Sequence, residues 1–172
     1  MPPTPGSSRI SGSSEPEGVV IVPARGAPDI AIACALFAEY GATISAEACL
    51  AGFDQELANL PGAYAPPGGE ILLARDSTGA VIGCVALRPL IDGAAEMKRL
   101  YVPAHGRRGG VGRALVLAIL EQARRIGYAE VKLDSLPSMA AAQALYRALG
   151  FVEIERYNDN PAPGLVFMGK RL

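Results

Sequence analysis

The chain has no tryptophan, a single histidine (His105) and three cysteines (Cys34, Cys49 and Cys84) among its 172 residues. One imidazole leaves no histidine-rich metal site, and three thiols at wide, irregular spacing form neither a zinc motif nor a disulfide framework. They are expected to be small buried hydrophobes in a reducing compartment, the cytosol. Long apolar runs are also missing. IAIACALFA (30–38) and ALVLAIL (114–120) fall short of the roughly 18–20 residues that a spanning helix needs, which predicts a soluble chain with no membrane partner. A net charge of −1 speaks against a general nucleic-acid binder. The opening MPPTPGSSRISGSSEPEGVV lacks the apolar core of a signal peptide, and its Pro, Ser and Gly content predicts a disordered tail over 1–17. One domain is then expected over 18–172, and a domain of that length buries roughly 68–70% of its unfolded surface without needing staples.

What is present is a regular succession of element signals. VVIVPA (19–24) predicts a strand. A helix follows from Pro28-Asp29 to Tyr40-Gly41, with Pro suited to a first turn, Asp29 to the helix dipole and Gly41 to the exit. FDQELANL (53–60) predicts a short helix stopped by Pro61-Gly62, and AYAPPGG (63–69) a loop. EILLARD (70–76) and AVIGCVALR (80–88) predict a hairpin turned by Asp76 and Gly79, and EMKRLYVP (96–103) a further strand. Val111, Ala114, Leu115, Ala118, Ile119 and Ile126 then fall at helical spacing ahead of Gly127. AEVKLDSL (129–136) alternates as a strand, Pro137-Ser138 opens a helix that Gly150 ends, and FVEIERY (151–157) and LVFMGKRL (165–172) close the chain as strands around NDNPAPG. The order β-α-α-β-β-β-α-β-α-β-β predicts a mixed α/β fold.

Between the 96–103 strand and the long helix lies PAHGRRGGVGRAL (103–115), a glycine and arginine loop of the kind that meets phosphate. A P-loop is excluded, because Val111 stands five residues after Gly106 and no Lys-Ser/Thr is near. The dinucleotide fingerprint is matched in part by Gly110, Gly112 and Asp134, which ends the next strand about twenty residues on, but Leu115 occupies the third glycine position. Only one strand-helix-strand unit follows the loop, too short a run for that fold. A helix start offers open N–H groups and a positive dipole end, and glycines admit a pyrophosphate to the backbone. Residues 97–125 carry seven basic side chains against Glu121 alone, which suits a small polyanion better than nucleic acid.

Arg107-Arg108-Gly109-Gly110-Val111-Gly112 has the form R-x-x-G-x-G/A, and it resembles the pyrophosphate loop of the GNAT superfamily of acyl-CoA-dependent N-acyltransferases. LYV (100–102), the Leu145-Tyr146 and Gly150-Phe151 pairs and the strand order fall where that family has them, so the resemblance extends over 18–172. LDSLPSM (133–139) and NPAPGLVFM (160–168) are similar to a common bacterial subgroup. The resemblance implies a GNAT-like α/β fold, with a mixed, mostly antiparallel central sheet of about seven strands flanked by about four helices. It implies acetyl-CoA as co-substrate, no metal, a small-molecule amine acceptor, and the homodimer common in the family. Coenzyme contacts are implied for the backbone of Leu100, Tyr101 and Val102, and for Arg107, Arg108, Gly109, Gly110, Val111, Gly112, Arg113 and Ala114. Ser138, Ala142 and Tyr146 are implied beyond them. Where the family commonly has Asn seven residues before the tyrosine, this chain has Met139, with Ser138 beside it as a substitute.

Direct acetyl transfer to a primary amine requires both reactants held together, and such positioning lowers a barrier by roughly 7–11 kcal/mol. There is no G-x-S-x-G elbow and His105 has no evident Ser or Cys partner, so a covalent acyl-enzyme is not indicated. The resemblance implies Tyr146 as acid for the leaving thiolate and Glu96 as base acting through water. Each keeps a structural alternative: Tyr146 packing beside Leu145 and Leu149, and Glu96 pairing with Lys98 and Arg99. The stretches 37–66 and 153–166, where the family grips its acceptor, hold Glu39, Glu47, Asp54, Glu56, Glu153, Glu155 and Asp159 with Arg156 as their only base. A small cationic amine is expected. The alternative to an enzyme is a module that binds or senses acyl-CoA without catalysis.

Overall fold

The computed structural model describes residues 16–45, 48, 50–107 and 109–172. The expected tail lies outside the described residues except for its last two positions, as do Glu47, Cys49 and Arg108. Strand β1 (Val20–Pro23) leads into helix α1 (Gly26–Ile44), a short helix α2 (Phe53–Ala58) and the antiparallel run β2 (Glu70–Arg75), β3 (Val81–Pro89) and β4 (Ala95–Tyr101). Helix α3 (Val111–Ile126), β5 (Glu130–Ser135), α4 (Ala140–Ala148), β6 (Val152–Glu153) and β7 (Val166–Arg171) complete the order read from the sequence. The strands form one seven-stranded sheet, β1-β2-β3-β4-β5-β7-β6. Every neighbouring pair is antiparallel except β4 and β5.

The unbroken apolar runs of β2 and β3 explain the layering. Successive side chains of a strand point to opposite faces, so a strand that is apolar at every position must be covered on both. Ile71 and Leu73 pack with Phe37, Phe53 and Tyr64 beneath α1 and α2, whereas Leu72 and Ala74 pack with Leu115, Val116 and Ile119 of α3. Cys84 and Ala86 join the first group, Val85 and Leu87 the second. Two cores result, one on each face. Phe37, Leu73, Leu115 and Ile119 are fully buried, and truncating any of them to alanine costs about 2–5 kcal/mol.

Helix α3 has the limits read from its glycines: Gly110 precedes it at φ 78° and Gly127 follows at φ 108°, donating to the carbonyls of Ala123 and Arg124. Three other expectations are corrected. Helix α1 starts at Gly26, where Asp29 turns back to accept the Arg25 N–H at 2.9 Å, and it runs through Gly41 to Ile44. The Phe53 ring lies on Gly41, so closely that a Cβ there would stand 2.5 Å from a ring carbon. The glycine is a packing seat, not a stop. Helix α4 begins after Met139, so Ser138 is an exposed residue ahead of it and caps nothing. Finally, α1 has 19 residues at a hydropathy of 1.2, long and apolar enough to cross a membrane by length and composition. Counting uninterrupted runs missed this, because Asp29 and Glu39 break the run without lowering its average far. A core helix meets the same test, and Ala33, Leu36 and Phe37 of α1 are buried against the sheet.

Strand β4 positions the site. Its register with β3 slips by one residue between Cys84 and Ala86, and at the slip Arg99 holds φ 59°, a left-handed conformation that costs a non-glycine residue about 1–2 kcal/mol. Only Ala95 and Glu96 pair with β5, opposite Val131 and Lys132. Past them β4 and β5 part, while β5 stays paired with β7 along its length.

Candidate active site

A cleft of about 530 Å³ fills the gap between the parting strands, within the roughly 300–1,000 Å³ usual for small-molecule sites. Met97 to Leu100 of β4 and Leu133 to Ser135 of β5 form its walls. Tyr40 and Ile44 of α1, Phe53 and Glu56 of α2, Ala142 and Tyr146 of α4, and Asn158 to Pro161 of the β6–β7 connection complete it. Beyond Glu96 the β5-facing backbone of β4 has no strand partner, so an extended ligand can bond to it as an added strand would.

Tyr146 borders this cleft with 7% of its surface exposed, its ring packed on Phe151 at a centroid distance of 5.7 Å. Its hydroxyl makes no hydrogen bond among the described residues and is not sealed off from the cleft. Burial, with Tyr40 nearby, pushes its pKa above the usual phenol range, so it is neutral at neutral pH.

Glu96 is 1% exposed and lies behind the cleft wall. The Arg88 guanidinium places Nε and Nη2 on Oε2, each at 2.7 Å, while Tyr157 donates its hydroxyl to Oε1 at 2.8 Å. The expected pairing with Lys98 and Arg99 is replaced by Arg88, the residue directly opposite on β3. Arg99 instead forms a two-point ion pair with Glu56, both bonds 2.9 Å, above the Phe53 ring. Burial works to raise the Glu56 carboxyl, but Arg99 outweighs it and holds the group below the ordinary carboxylate range. From Glu96 the polar network continues outward: Asn158 Nδ2 reaches Oε1 at 3.4 Å and Asp134 Oδ2 at 2.8 Å, and Asn160 Nδ2 reaches the same Asp134 oxygen at 3.2 Å. Asp134 faces the cleft.

The arginine and glycine loop is shaped by its glycines in two ways. Gly109 and Gly110 hold φ 85° and 78°, and Gly106 lies so close to β3 that a Cβ would stand 2.5 Å from the Ile82 carbonyl oxygen. The first intrahelical bond of α3 is Ala114 N–H to the Gly110 carbonyl, which leaves the N–H groups of Val111 and Gly112 at the open helix end. Val111 and Ala114 are buried, and the Ala114 N–H is taken up by the Gly110 carbonyl. Arg107 and Arg113 are exposed, and Arg107 folds its Nε onto the Val102 carbonyl at 3.1 Å. Leu100 and Ala142 line the cleft; Tyr101 turns to α1, where its hydroxyl donates to Glu39 at 2.8 Å.

A family profile described as "Acetyltransferase (GNAT) domain" matches residues 67–153, half of the chain, across the parting strands, the loop and α4. The chain belongs to the GNAT acetyltransferases. An uncharacterized N-acetyltransferase of Schizosaccharomyces pombe is 42% identical over 116 residues, 67% of this chain and 71% of that protein. Longer relatives, human N-acetyltransferase 8 among them, are matched over less than half of their own length. Among solved structures, a candidate acyl-CoA N-acyltransferase of Klebsiella pneumoniae has a TM-score of 0.72 at 28% identity, over 90% of this chain and 97% of that one. A GNAT family acetyltransferase of Elizabethkingia anophelis with acetyl-CoA bound shares the fold at a TM-score of 0.61 and 19% identity, over 91% and 99%. Family membership supports acetyl transfer from acetyl-CoA as the reaction.

Of the seven acids counted along the chain, three are already engaged by neighbours. Glu39 accepts from Tyr101, Glu56 holds Arg99 and accepts the Tyr64 hydroxyl at 3.0 Å, and Glu153 pairs with Arg147 at 2.8 Å. Arg88, Lys98 and Arg99 face the cleft together with Glu56, Asp134 and Asp159. Lys98, Asp134, Asn158 and Asn160 were not legible as site residues. Lys98 counted only toward a basic run, and Asp134 only toward a ribose contact. The available signal was the NDNP stretch, whose two asparagines fold back on the end of β5.

Proposed function

We propose that residues 18–172 act as one acetyl-CoA-dependent N-acetyltransferase that moves the acetyl group directly onto a primary amine of a small acceptor, with both reactants bound. The observation that carries this reading is Tyr146: a buried neutral phenol with an uncommitted hydroxyl, bordering a cleft opened by strand divergence. The amine nitrogen attacks the thioester carbonyl carbon, the C–S bond breaks, and the sulfur leaves with a proton. A phenol pushed above its usual pKa is a poor full proton donor but a sound hydrogen-bond donor to developing thiolate charge, a role typically worth 10²–10⁴-fold. The helix start at Val111 and Gly112, with Arg107 and Arg113 beside it, takes the pyrophosphate, and the β4 edge at Leu100 and Tyr101, with Val102 after it, takes the arm that leads to the thioester.

Glu96 enters as a positioning residue. Both of its oxygens are engaged and it does not front the cleft, so the carboxylate that an incoming ammonium meets is Asp134, held by Asn158. Direct transfer is supported by the two described thiols. Burial pushes Cys84 up to about 12, and Cys34 turns its Sγ to the Leu57 carbonyl on the α1–α2 side.

The test has two stages. Acetyl-CoA, and not NAD, should raise the unfolding midpoint of the full chain, since a ligand at 100 times its Kd adds about 2.7 kcal/mol. Free CoA should then appear when a primary amine is added. Tight acetyl-CoA binding with no CoA release from any amine would favour the non-catalytic sensing module instead.

A further inference from the structure

Of the charged side chains on the cleft, some are neutralised by neighbours and some are not. Arg99 and Glu56 satisfy each other at 2.9 Å, and Arg88 lies on the buried Glu96 at 2.7 Å. With these set aside, the described residues of the cleft keep one cation, Lys98, and two carboxylates, Asp134 and Asp159. Lys98 forms no ion pair or hydrogen bond among the described residues, and Asp134 accepts only from the neutral amides of Asn158 and Asn160.

The strand register explains why Lys98 and Asp134 are left open. The parallel pairing sets Ala95 against Val131 and Glu96 against Lys132. Carried two residues further, the same register sets Lys98 against Asp134 on a common face, where an unbroken ladder would make them a cross-strand ion pair. The ladder is broken there. An ammonium and a carboxylate instead border the same gap, with no bond between them, in the cleft where acceptor and thioester must meet.

We infer that this gap seats the acceptor, and that the acceptor is zwitterionic: a primary amine whose ammonium meets Asp134 and whose nearby carboxylate meets Lys98. This acceptor class rests on the acyl-transfer reading above. A purely cationic amine, as the acid count along the chain suggested, would bring its charge beside a lysine that has no ion pair among the described residues, and like charges at close range are unfavourable wherever water is thinned. A purely anionic ligand would meet Asp134 in the same way. Only a molecule with both signs a few bonds apart satisfies both walls. In the reaction, the ammonium gives a proton to an Asp134 carboxylate oxygen, and the freed nitrogen lone pair forms the C–N bond as the C–S bond breaks. The second proton that the nitrogen sheds as it becomes an amide ends on the thiolate sulfur, beside Tyr146. One proton goes to solvent per turnover when Asp134 is reset.

The test compares three matched acceptor sets with acetyl-CoA and the full chain, reading CoA release: amino acids with amine and carboxylate one to three carbons apart, their amides, and the corresponding decarboxylated amines. The amino acids should show kcat/KM at least about tenfold above both other sets. Lys98→Gln should raise KM for the preferred amino acid about tenfold with little change in kcat or in the Kd for acetyl-CoA, and Lys98→Arg should restore most of the loss. Amides or decarboxylated amines used as well as the amino acids would overturn the zwitterionic acceptor and leave acyl transfer standing. Turnover of no amine in any set, with acetyl-CoA still bound, would overturn the acyl-transfer reading itself. If Lys98→Gln fails to fold, the wild-type comparison of the three sets decides alone.

Discussion

The Tyr157 hydroxyl donates to Glu96 Oε1 at 2.8 Å, joining the β6–β7 connection to a carboxylate 61 residues earlier on the central strand. Burial and the carboxylate together push the phenol well above its usual range. Tyr157→Phe keeps the ring in place against Phe167, at a centroid distance of 5.6 Å, and removes only the donor. A hydrogen bond to a buried charged group is worth about 1.5–3 kcal/mol, so the variant should unfold roughly 3–12 °C lower by calorimetry. Tyr128→Phe loses a 2.6 Å bond to the neutral Gly68 carbonyl and should fall by less. The reverse ranking would remove Glu96 as the anchor of the network.

Tyr146→Phe should lower kcat by about 10²–10⁴-fold while leaving the Kd for acetyl-CoA unchanged, since the ring and its packing on Phe151 persist. Because burial raises this phenol, the wild-type kcat should show no alkaline loss from its ionisation below about pH 10. A kcat–pH profile beside calorimetric binding checks both. An unchanged kcat takes Tyr146 out of the chemistry.

Three loop glycines should respond in three ways to alanine. At Gly106 the new Cβ would meet the Ile82 carbonyl oxygen at 2.5 Å, so stability should drop by about 1–3 kcal/mol. At Gly110 there is room but φ is 78°, and the left-handed backbone should cost about 1–2 kcal/mol. At Gly112 the Cβ meets Leu145 at an ordinary 3.8 Å inside α3, so Gly112→Ala should gain about 0.5–1 kcal/mol. Weaker acetyl-CoA binding by Gly112→Ala despite that gain, measured by urea unfolding and titration, would mark this as the place where the pyrophosphate approaches.

The Arg99–Glu56 pair sets an acid limb. Its carboxyl is held below the ordinary 4.5, so the folded chain binds fewer protons than the unfolded chain around that pH. The stabilisation is therefore complete above about pH 5 and fades as pH falls through the lowered folded value. Arg99→Met should destabilise by roughly 3 kcal/mol near neutrality and flatten this limb. Urea midpoints between pH 3 and 7 separate the two effects, and an unchanged limb in the variant would assign it to other carboxylates.

Much of the fold was legible because its signals are local. Gly110 and Gly127 bound α3 through their own backbone angles, and apolar alternation marked β5. Gly41 misled because its reason is distant: the Phe53 ring needs the space that a side chain would fill. The donor side of the site was legible for the same reason as α3, since a phosphate-binding helix start is a contiguous stretch of chain. The acceptor side was not. Charges counted along the sequence carry no record of which are neutralised in space, and the engagement of Glu39, Glu56 and Glu153 by Tyr101, Arg99 and Arg147 cut down the acid excess that the count had suggested. The partners of Glu96 were hidden similarly, because Arg88 reaches it through the β3–β4 register and Tyr157 through a connection on the far side of the sheet.

The parting of β4 and β5 behaves as a crack in the sheet, and Glu96 is the rivet at its tip. Arg88 grips the carboxylate from one half of the sheet; Tyr157 and Asn158 grip it from the other. The angle at which the strands open is thus fixed by a few bonds at one buried point, and any slackening there is levered along both strands into a larger displacement several residues away, where Lys98, Asp134 and Tyr146 border the same cleft. The width of the cleft is governed from its closed end.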